Sequence, residues 1–288
     1  MIYAVLVLYK KRLEQSRTFI SLTRFGNSFI KSQLHLLIYE NSANDKLRYG
    51  PKQSHVTGYG FASCERIFSE QNDGIAAPYN IAYLKAKKLE CRWLLLLDQD
   101  SEFGEDFARS VLASAETLDS KDVAAVVPKI MVGSKVLAPR IGFLGTVLTN
   151  EGELQIQGRY VTTVNSGSLI SIEFLGEIGG FDEKYWLDGL DTWLFMRIFK
   201  MNRAIIISPT ILRHNLSLAS NDGMTVDRMI GIVRSECQLW RDFANFGFRS
   251  RIALGIVKRS LRLIIRAKWT HLKSIITVLT MEIFAKVE

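Results

Sequence analysis

One run constrains this chain more than any other: Trp93, four consecutive leucines (Leu94 to Leu97), then Asp98, Gln99, Asp100 and Ser101. An uninterrupted apolar run bounded by polar residues has the pattern of a strand buried on both faces. Such a strand stops where its charges begin, so Asp98 and Asp100 fall at the C-terminal edge of a sheet. In open α/β folds that edge is where ligands bind. Two carboxylates just past the ladder can reach one crevice, and ionised carboxylates are hard oxygen ligands suited to Mg²⁺ or Mn²⁺ carrying a diphosphate. A polar loop after a core strand would look the same in isolation, so the neighbouring stretches decide.

Those stretches alternate. Ile2 to Leu8 reads as a first strand, Lys10 to Phe29 as a rough helix, and Leu34 to Tyr39 as a second strand ending in the polar loop Glu40 to Asp45. Residues 46–65 carry no clear pattern. Ile67 to Glu70 reads as a short strand, Pro78 to Glu90 as a helix with proline in its first turn, where a missing N–H costs little. Ser110 to Leu118 is helical in composition and Val123 to Val127 is strand-like. This order predicts a mostly parallel, doubly wound sheet flanked by helices. Beyond Pro128 the pattern loosens: hairpin or loop over 142–160, a small-residue turn at Asn165 to Ser168 leading into a strand, and a short helix stopped by Gly179 and Gly180. A helix running through Phe199 and a strand at Ala204 to Ile207 follow.

With 288 residues, 48% hydrophobic and 23% charged, the chain is ordinary for a globular protein. Cys64, Cys91 and Cys237 show no metal-ligand spacing, and their sparse, odd number suggests a reducing compartment. Met1 to Tyr9 lacks a basic n-region and is too short to span a bilayer, and no transmembrane helix is expected.

Taken in order, several pieces resemble glycosyltransferase family 2, the inverting enzymes with a GT-A fold, and among them the rhamnosyltransferase-like members of bacterial O-antigen and polysaccharide assembly. The pieces are Tyr9 after the first strand; Glu40-Asn41-Ser42; Asn72 to Asn80; Asp98-Gln99-Asp100-Ser101; Asn165-Ser166-Gly167-Ser168; Gly179 to Glu183 running on to Asp191; then Arg197 and His214. The resemblance covers roughly residues 1–235. It implies a nucleotide-sugar-binding half over 1–128, an acceptor half over 129–235, and a helical region over 236–288.

The resemblance also implies roles. Tyr9, Glu40, Asn72, Asn80 and Asp98 would bind the nucleotide, with Glu40 accepting the N3–H of uracil or thymine. A helix N-terminus near Asn80 would favour the diphosphate. Asp100 and His214 would hold Mg²⁺ or Mn²⁺. Asp191 would be the base that deprotonates the acceptor hydroxyl, with Asp188, about one helical turn away, as its rival. The sequence departs from the family at Tyr79, where Arg or Gln is usual, at Leu190, where Glu is usual, and at Trp193. The implied reaction moves a sugar, rhamnose from dTDP-rhamnose or else a sugar from another donor such as UDP-hexose or UDP-galactofuranose, to a saccharide or lipid-linked acceptor.

The last stretch reads differently. From Arg249 to Glu288 there are nine Lys/Arg and two Glu, which accounts for +7 of the chain's net +8. Leu254, Val257, Leu261, Ile264, Trp269, Leu272, Ile276, Leu279 and Ile283 recur mostly at three- and four-residue spacing, with Arg259, Arg262, Arg266 and Lys273 interleaved. This predicts a basic amphipathic helix or helix pair at an anionic membrane surface, placing the protein peripherally on the inner face of the cell membrane. A helix packed on the body with its basic side in water is the plainer alternative.

Two other classes fit the residues less well. A phosphatase of the haloacid-dehalogenase type would carry its Asp-x-Asp near the chain start, not at 98. A nucleic-acid binder would show repeated glycines with interleaved surface aromatics in the basic tail, a pattern that its isolated Gly255, Trp269 and Phe284 do not make.

Overall fold

The computed structural model describes residues 1–24, 31–41, 53–55, 59–214 and 224–284, with backbone alone at 53–55, 214, 283 and 284. In chain order the first half contains β1 (Ile2–Leu8), α1 (Arg17–Arg24), β2 (Leu34–Glu40), β3 (Gln53–His55), β4 (Ser63–Phe68), α2 (Ala76–Lys88), β5 (Trp93–Asp98), β6 (Ser101–Glu102), α3 (Glu105–Thr117) and β7 (Val123–Val132). There follow β8 (Lys135–Ala138), β9 (Arg140–Ile141), β10 (Thr146–Val147), β11 (Leu154–Ile156), β12 (Val161–Thr162), β13 (Leu169–Ser171), α4 (Ile172–Ile178), α5 (Leu190–Lys200) and β14 (Ala204–His214). The chain closes with α6 (Val226–Asp242), α7 (Phe246–Ile265) and α8 (Trp269–Phe284).

The main sheet runs β11-β14-β7-β13-β5-β1-β2-β4-β3, with β6 on β14 and β8 on β7. Strands β5, β1, β2 and β4 are mutually parallel, as are β7 and β14. Between these two parallel groups β13 is inserted antiparallel to both β5 and β7. Because one antiparallel strand separates them, the groups point the same way and their C-terminal ends share one edge. The leucine run is the physical centre: Trp93 and Leu94 to Leu97 are buried, as expected for a strand covered on both faces. Alternate residues of β1 (Ile2, Ala4, Leu6, Leu8) pack with Phe19, Leu22, Phe107 and Val111. On the opposite side α2 packs on β1 and β5.

Several boundaries differ from expectation. The first helix is short, Arg17–Arg24 after a 3₁₀ turn at Leu13–Gln15; the expected continuation over 25–30 lies outside the described residues, as do 42–45 of the loop after β2. The strand expected at Ile67 starts at Ser63, and α3 starts at Glu105, where Glu105 and Asp106 complement the positive helix end. Neither Pro128 nor Pro209 ends its strand. The β7–β14 register jumps between Ile207 and Ile211 opposite Val127 and Lys129, so one bulge houses both prolines. The region expected as hairpin or loop over 142–160 contains β10, which forms a small sheet with the flanking β9 and β12 in the order β10-β9-β12, and β11, which pairs with β14.

The chain groups into two compact units, one made of residues 1–142 and 146–215, the other of Phe143–Gly145 and the chain from 216 onward. The expected boundary at residue 235 would fall inside α6, a continuous helix. In the second unit α6, α7 and α8 enclose their own core of Met229, Val233, Leu263, Ile275 and Val278. No helix among the described residues is long and apolar enough to cross a membrane.

Candidate active site at the sheet edge

Parallel register brings the ends of four strands level. Val7 is the rung partner of Asp98, Leu8 of Glu40, and Glu40 of Phe68. Every loop that follows these strands therefore emerges on one rim, and the expected site residues are distributed along it.

The Asp98–Ser101 turn is braced from several sides. The Asp98 N–H donates to Ser166 Oγ at 3.1 Å, and Ser166 Oγ lies 2.8 Å from Ser101 Oγ. Thr18 Oγ1 donates to the Asp98 carbonyl and, at 3.0 Å, to that of Ser101. Ser16 Oγ reaches the Gln99 carbonyl at 2.9 Å, and Gln99 Oε1 accepts the Tyr9 N–H at 2.9 Å. The turn between the two acids is thus fixed to α1, to the Asn165–Ser168 segment and to the end of β1, while Asp98 and Asp100 stay half-buried. Tyr9 itself is exposed, with Lys10 Nζ 5.1 Å from its ring centre.

His214 belongs to the same place. It is the antiparallel rung partner of Ser101, the residue after Asp100. Among the described residues no three His, Cys, Asp or Glu side chains gather as a metal cluster. The donor chemistry nevertheless suits a hard cation: two carboxylates on one turn, with an imidazole-bearing position on the adjoining strand.

Asp191 lies in the first turn of α5, where its Oδ1 accepts the Thr192 N–H at 2.7 Å. Tyr79 of α2 feels the charge of both Asp191 and Asp98. The Tyr79 ring is fully buried and its hydroxyl finds no partner at hydrogen-bond geometry. Burial first, then the charges of Asp98 and Asp191, hold its proton well above the usual phenol range. Both carboxylates thus act electrostatically on one buried phenol. Asp188 is half-buried in the segment leading into α5.

Glu40 is more deeply buried than a base-reading acid need be, at 3% exposure. Arg66 Nε and Nη2 both meet its Oε1. Burial raises its carboxyl above the usual range, and Arg66 opposes that rise. Arg66 was not anticipated; it follows from the parallel pairing of β2 with β4, which places it opposite Ile38.

The two asparagines of the Asn72–Asn80 segment hold the protein to itself. Asn72 Oδ1 accepts from the Gly74 N–H at 3.1 Å and from Asn41 Nδ2 at 2.9 Å. Asn41 is buried and also reaches the Asp73 N–H (2.6 Å) and the Gly74 carbonyl (2.5 Å). Asn80 clamps α2 to the segment before α5: Oδ1 accepts the Phe181 N–H at 2.8 Å, while Nδ2 donates to the Phe181 carbonyl at 2.9 Å and to Glu183 at 3.1 Å.

The phosphate site expected at the N-terminus of α2 is not met. The Ile75 and Ala76 N–H groups donate to the Trp186 carbonyl at 2.5 and 3.2 Å, and Pro78 has no N–H to offer. Protein already caps that helix end, and the signal missed in the sequence was Gly74, which lets the two backbones meet.

No protein-family model matches the sequence, and no curated protein matches it. Solved structures do. A TarS fragment of S. aureus, residues 1-349 with UDP-GlcNAc, aligns with TM-score 0.55 and 13% identity over 98% of this chain and 80% of that one. The mannosyltransferase PcManGT of Pyrobaculum calidifontis, with GDP-Man and Mn2+, aligns with TM-score 0.54 and 12% identity over 99% of this chain and 87% of that one. The chain spans 43% of the longer TarS structure, at 13% identity and TM-score 0.49 over 87% of its own length. Likeness at this level of identity speaks to architecture, and the architecture of this chain is the GT-A fold.

Proposed function

We propose that the protein is an inverting, metal-dependent glycosyltransferase that moves a sugar from a nucleoside diphosphate to a saccharide or lipid-linked acceptor, with dTDP-rhamnose as the preferred donor. The observation that carries this reading is the strand register that sets Glu40 and Asp98 level on one rim and, through the Ser101–His214 rung, brings the end of β14 to the residue after Asp100. The two neighbours bind UDP-GlcNAc and GDP-Man, which supports a nucleotide-sugar donor without fixing its base.

In this reading Asp98 takes the ribose side of the donor. Tyr9, with its backbone pinned by Gln99, supports the same nucleotide. Glu40 reads the pyrimidine N3–H through Oε2, since Arg66 engages Oε1. Asn72 and Asn80 act by shaping the loops around the nucleotide. Asp100 and His214 would hold Mg²⁺ or Mn²⁺, which when bound supplies Lewis-acid stabilisation of the departing diphosphate. Asp191 accepts the proton of the acceptor hydroxyl as that oxygen attacks the anomeric carbon from the face opposite the leaving group. Asp191 keeps its orientation through the Thr192 N–H.

Calorimetric titration with dTDP, UDP and GDP, each with and without Mn²⁺, tests the donor side. Tight binding of dTDP or UDP that depends on metal is expected. Equal binding of all three, indifferent to metal, would overturn it. The anomeric configuration of the product, read by NMR, separates inversion from retention.

A further inference from the structure

The second unit carries a surface that its own fold does not use. On α7, Phe248, Ile252, Ile256 and Leu263 are turned inward, the last two into the core shared with α6 and α8. Arg259, expected on the basic side, instead forms a two-pronged ion pair with Glu236 of α6, both contacts at 2.7 Å. At 100° per residue, the inward positions centre on the side opposite Leu254, Val257, Leu261, Ile264 and Ile265. These outward residues are all apolar: Leu254, Val257 and Leu261 are each 53% exposed and Ile265 is 82% exposed. Phe246 at the helix start and Trp269 at the start of α8 extend the stripe, at 87% and 61% exposure. Soluble helices put polar residues there.

Cations border the stripe. Lys258 and Arg262 are exposed along its flank, and Lys273 is exposed beside Trp269 on α8. Where α7 turns into α8, Arg262, Arg266, Lys268 and His271 line a small cleft. No acidic residue occurs between Arg249 and Ile275. An apolar stripe flanked by cations, ending in an aromatic side chain suited to the water–hydrocarbon boundary, matches an anionic lipid surface in both polarity and charge. The cations spread along α7 prevent it from spanning a bilayer, so lying in the interface is the arrangement left to it.

We propose that α7 and the first turn of α8 dock this protein on an anionic phospholipid bilayer, the stripe from Leu254 to Ile265 entering the headgroup layer while the cleft at Arg262, Arg266 and Lys268 takes a lipid phosphate. This proposal is independent of the reaction assigned to the sheet edge. The test is co-sedimentation of the full chain with phosphatidylcholine vesicles and with vesicles of phosphatidylcholine and phosphatidylglycerol. Binding to the second kind only, weakening as salt rises, is expected. Leu254→Ser with Leu261→Ser should weaken binding roughly tenfold or more for each leucine removed. Arg262→Glu should weaken it more than the roughly fivefold expected for one lost cation. These side chains lie outside the helical core, so either variant reads the surface without unfolding the unit. Absence of sedimentation, or equal sedimentation with neutral vesicles, would overturn the proposal. So would a concentration-dependent dimer abolished by the leucine variants, which would assign the stripe to a second copy of the chain.

Discussion

Ser101 and His214 face each other across an antiparallel rung, which ties the end of β14 to the residue immediately after Asp100. More than one hundred residues of chain separate the two, and only the sheet topology unites them. If this rung frames a cation site, Asp100→Ala should weaken Mn²⁺ binding by more than the roughly 10–100-fold that loss of an outer-shell partner costs. His214→Ala should also weaken it, and Ser166→Ala, which touches only the brace, should do so less. Titration of Mn²⁺ by electron paramagnetic resonance measures all three. Unchanged affinity in Asp100→Ala would remove the cation from this rim.

Asp191 and Tyr79 make a separable pair. Asp191→Asn removes the acceptor of a proton but keeps the size and most hydrogen bonds of the side chain. Turnover should fall by about 10²–10⁴-fold, with donor affinity unchanged in calorimetry. Tyr79→Phe removes a buried hydroxyl that makes no well-formed bond, so its stability cost should be under about 1 kcal/mol. If Asp188→Asn rather than Asp191→Asn abolishes turnover, the base is the earlier acid.

Much of this was readable in the sequence, and the reason is local. Leu94 to Leu97 have the pattern of a doubly covered strand, and the alternating stretches around them agree, so the acids that follow fall at the rim. Gly179 closed α4 in the left-handed conformation, φ 80°, as its position suggested. What escaped is non-local. Nothing near Asn80 in the chain shows that its amide will be spent on Phe181, and nothing near Glu40 shows that Arg66 will meet it. The continuation of β7 and β14 through prolines was hidden because each proline breaks a strand by itself, whereas two at the same level share a bulge. The insertion of β13 between β5 and β7 likewise depends on pairing partners that no window of sequence displays.

Glu40 gives a pH-dependent expectation with a defined sign. Its carboxyl is raised chiefly by burial, against the pull of Arg66. A group whose folded value lies above its unfolded value, about 4.3 for glutamate, favours the folded chain when it is protonated. Acidification through that window therefore does not destabilise the fold through Glu40, yet it replaces the charged acceptor for a pyrimidine N3–H by a weaker neutral one. Affinity for dTDP or UDP should begin to fall at a pH above the ordinary glutamate range while the melting temperature holds. In Glu40→Gln the early fall should vanish along with most of the affinity. A flat affinity down to the ordinary range would show that Glu40 serves Arg66 alone.

Gly74 tests whether the loop before α2 and the segment before α5 are built as one piece. Its φ is +72°, and an added Cβ would lie 2.0 Å from the Trp186 carbonyl oxygen, the same atom that receives the Ile75 and Ala76 N–H groups. That obstacle is backbone, so Gly74→Ala must displace one segment from the other. Gly133 provides the comparison: φ is +59° and nothing lies within 4 Å of an added Cβ, so Gly133→Ala carries the conformational cost alone, about 1–2 kcal/mol. Urea denaturation should show Gly74→Ala losing clearly more than that. Because Trp186 leads directly into Asp188 and Asp191, turnover should drop in Gly74→Ala and hold in Gly133→Ala. Equal losses in the two variants would mean that the Trp186 carbonyl yields freely and that the acids of α5 are positioned by other contacts, with the Asn80 clamp on Phe181 the next to remove.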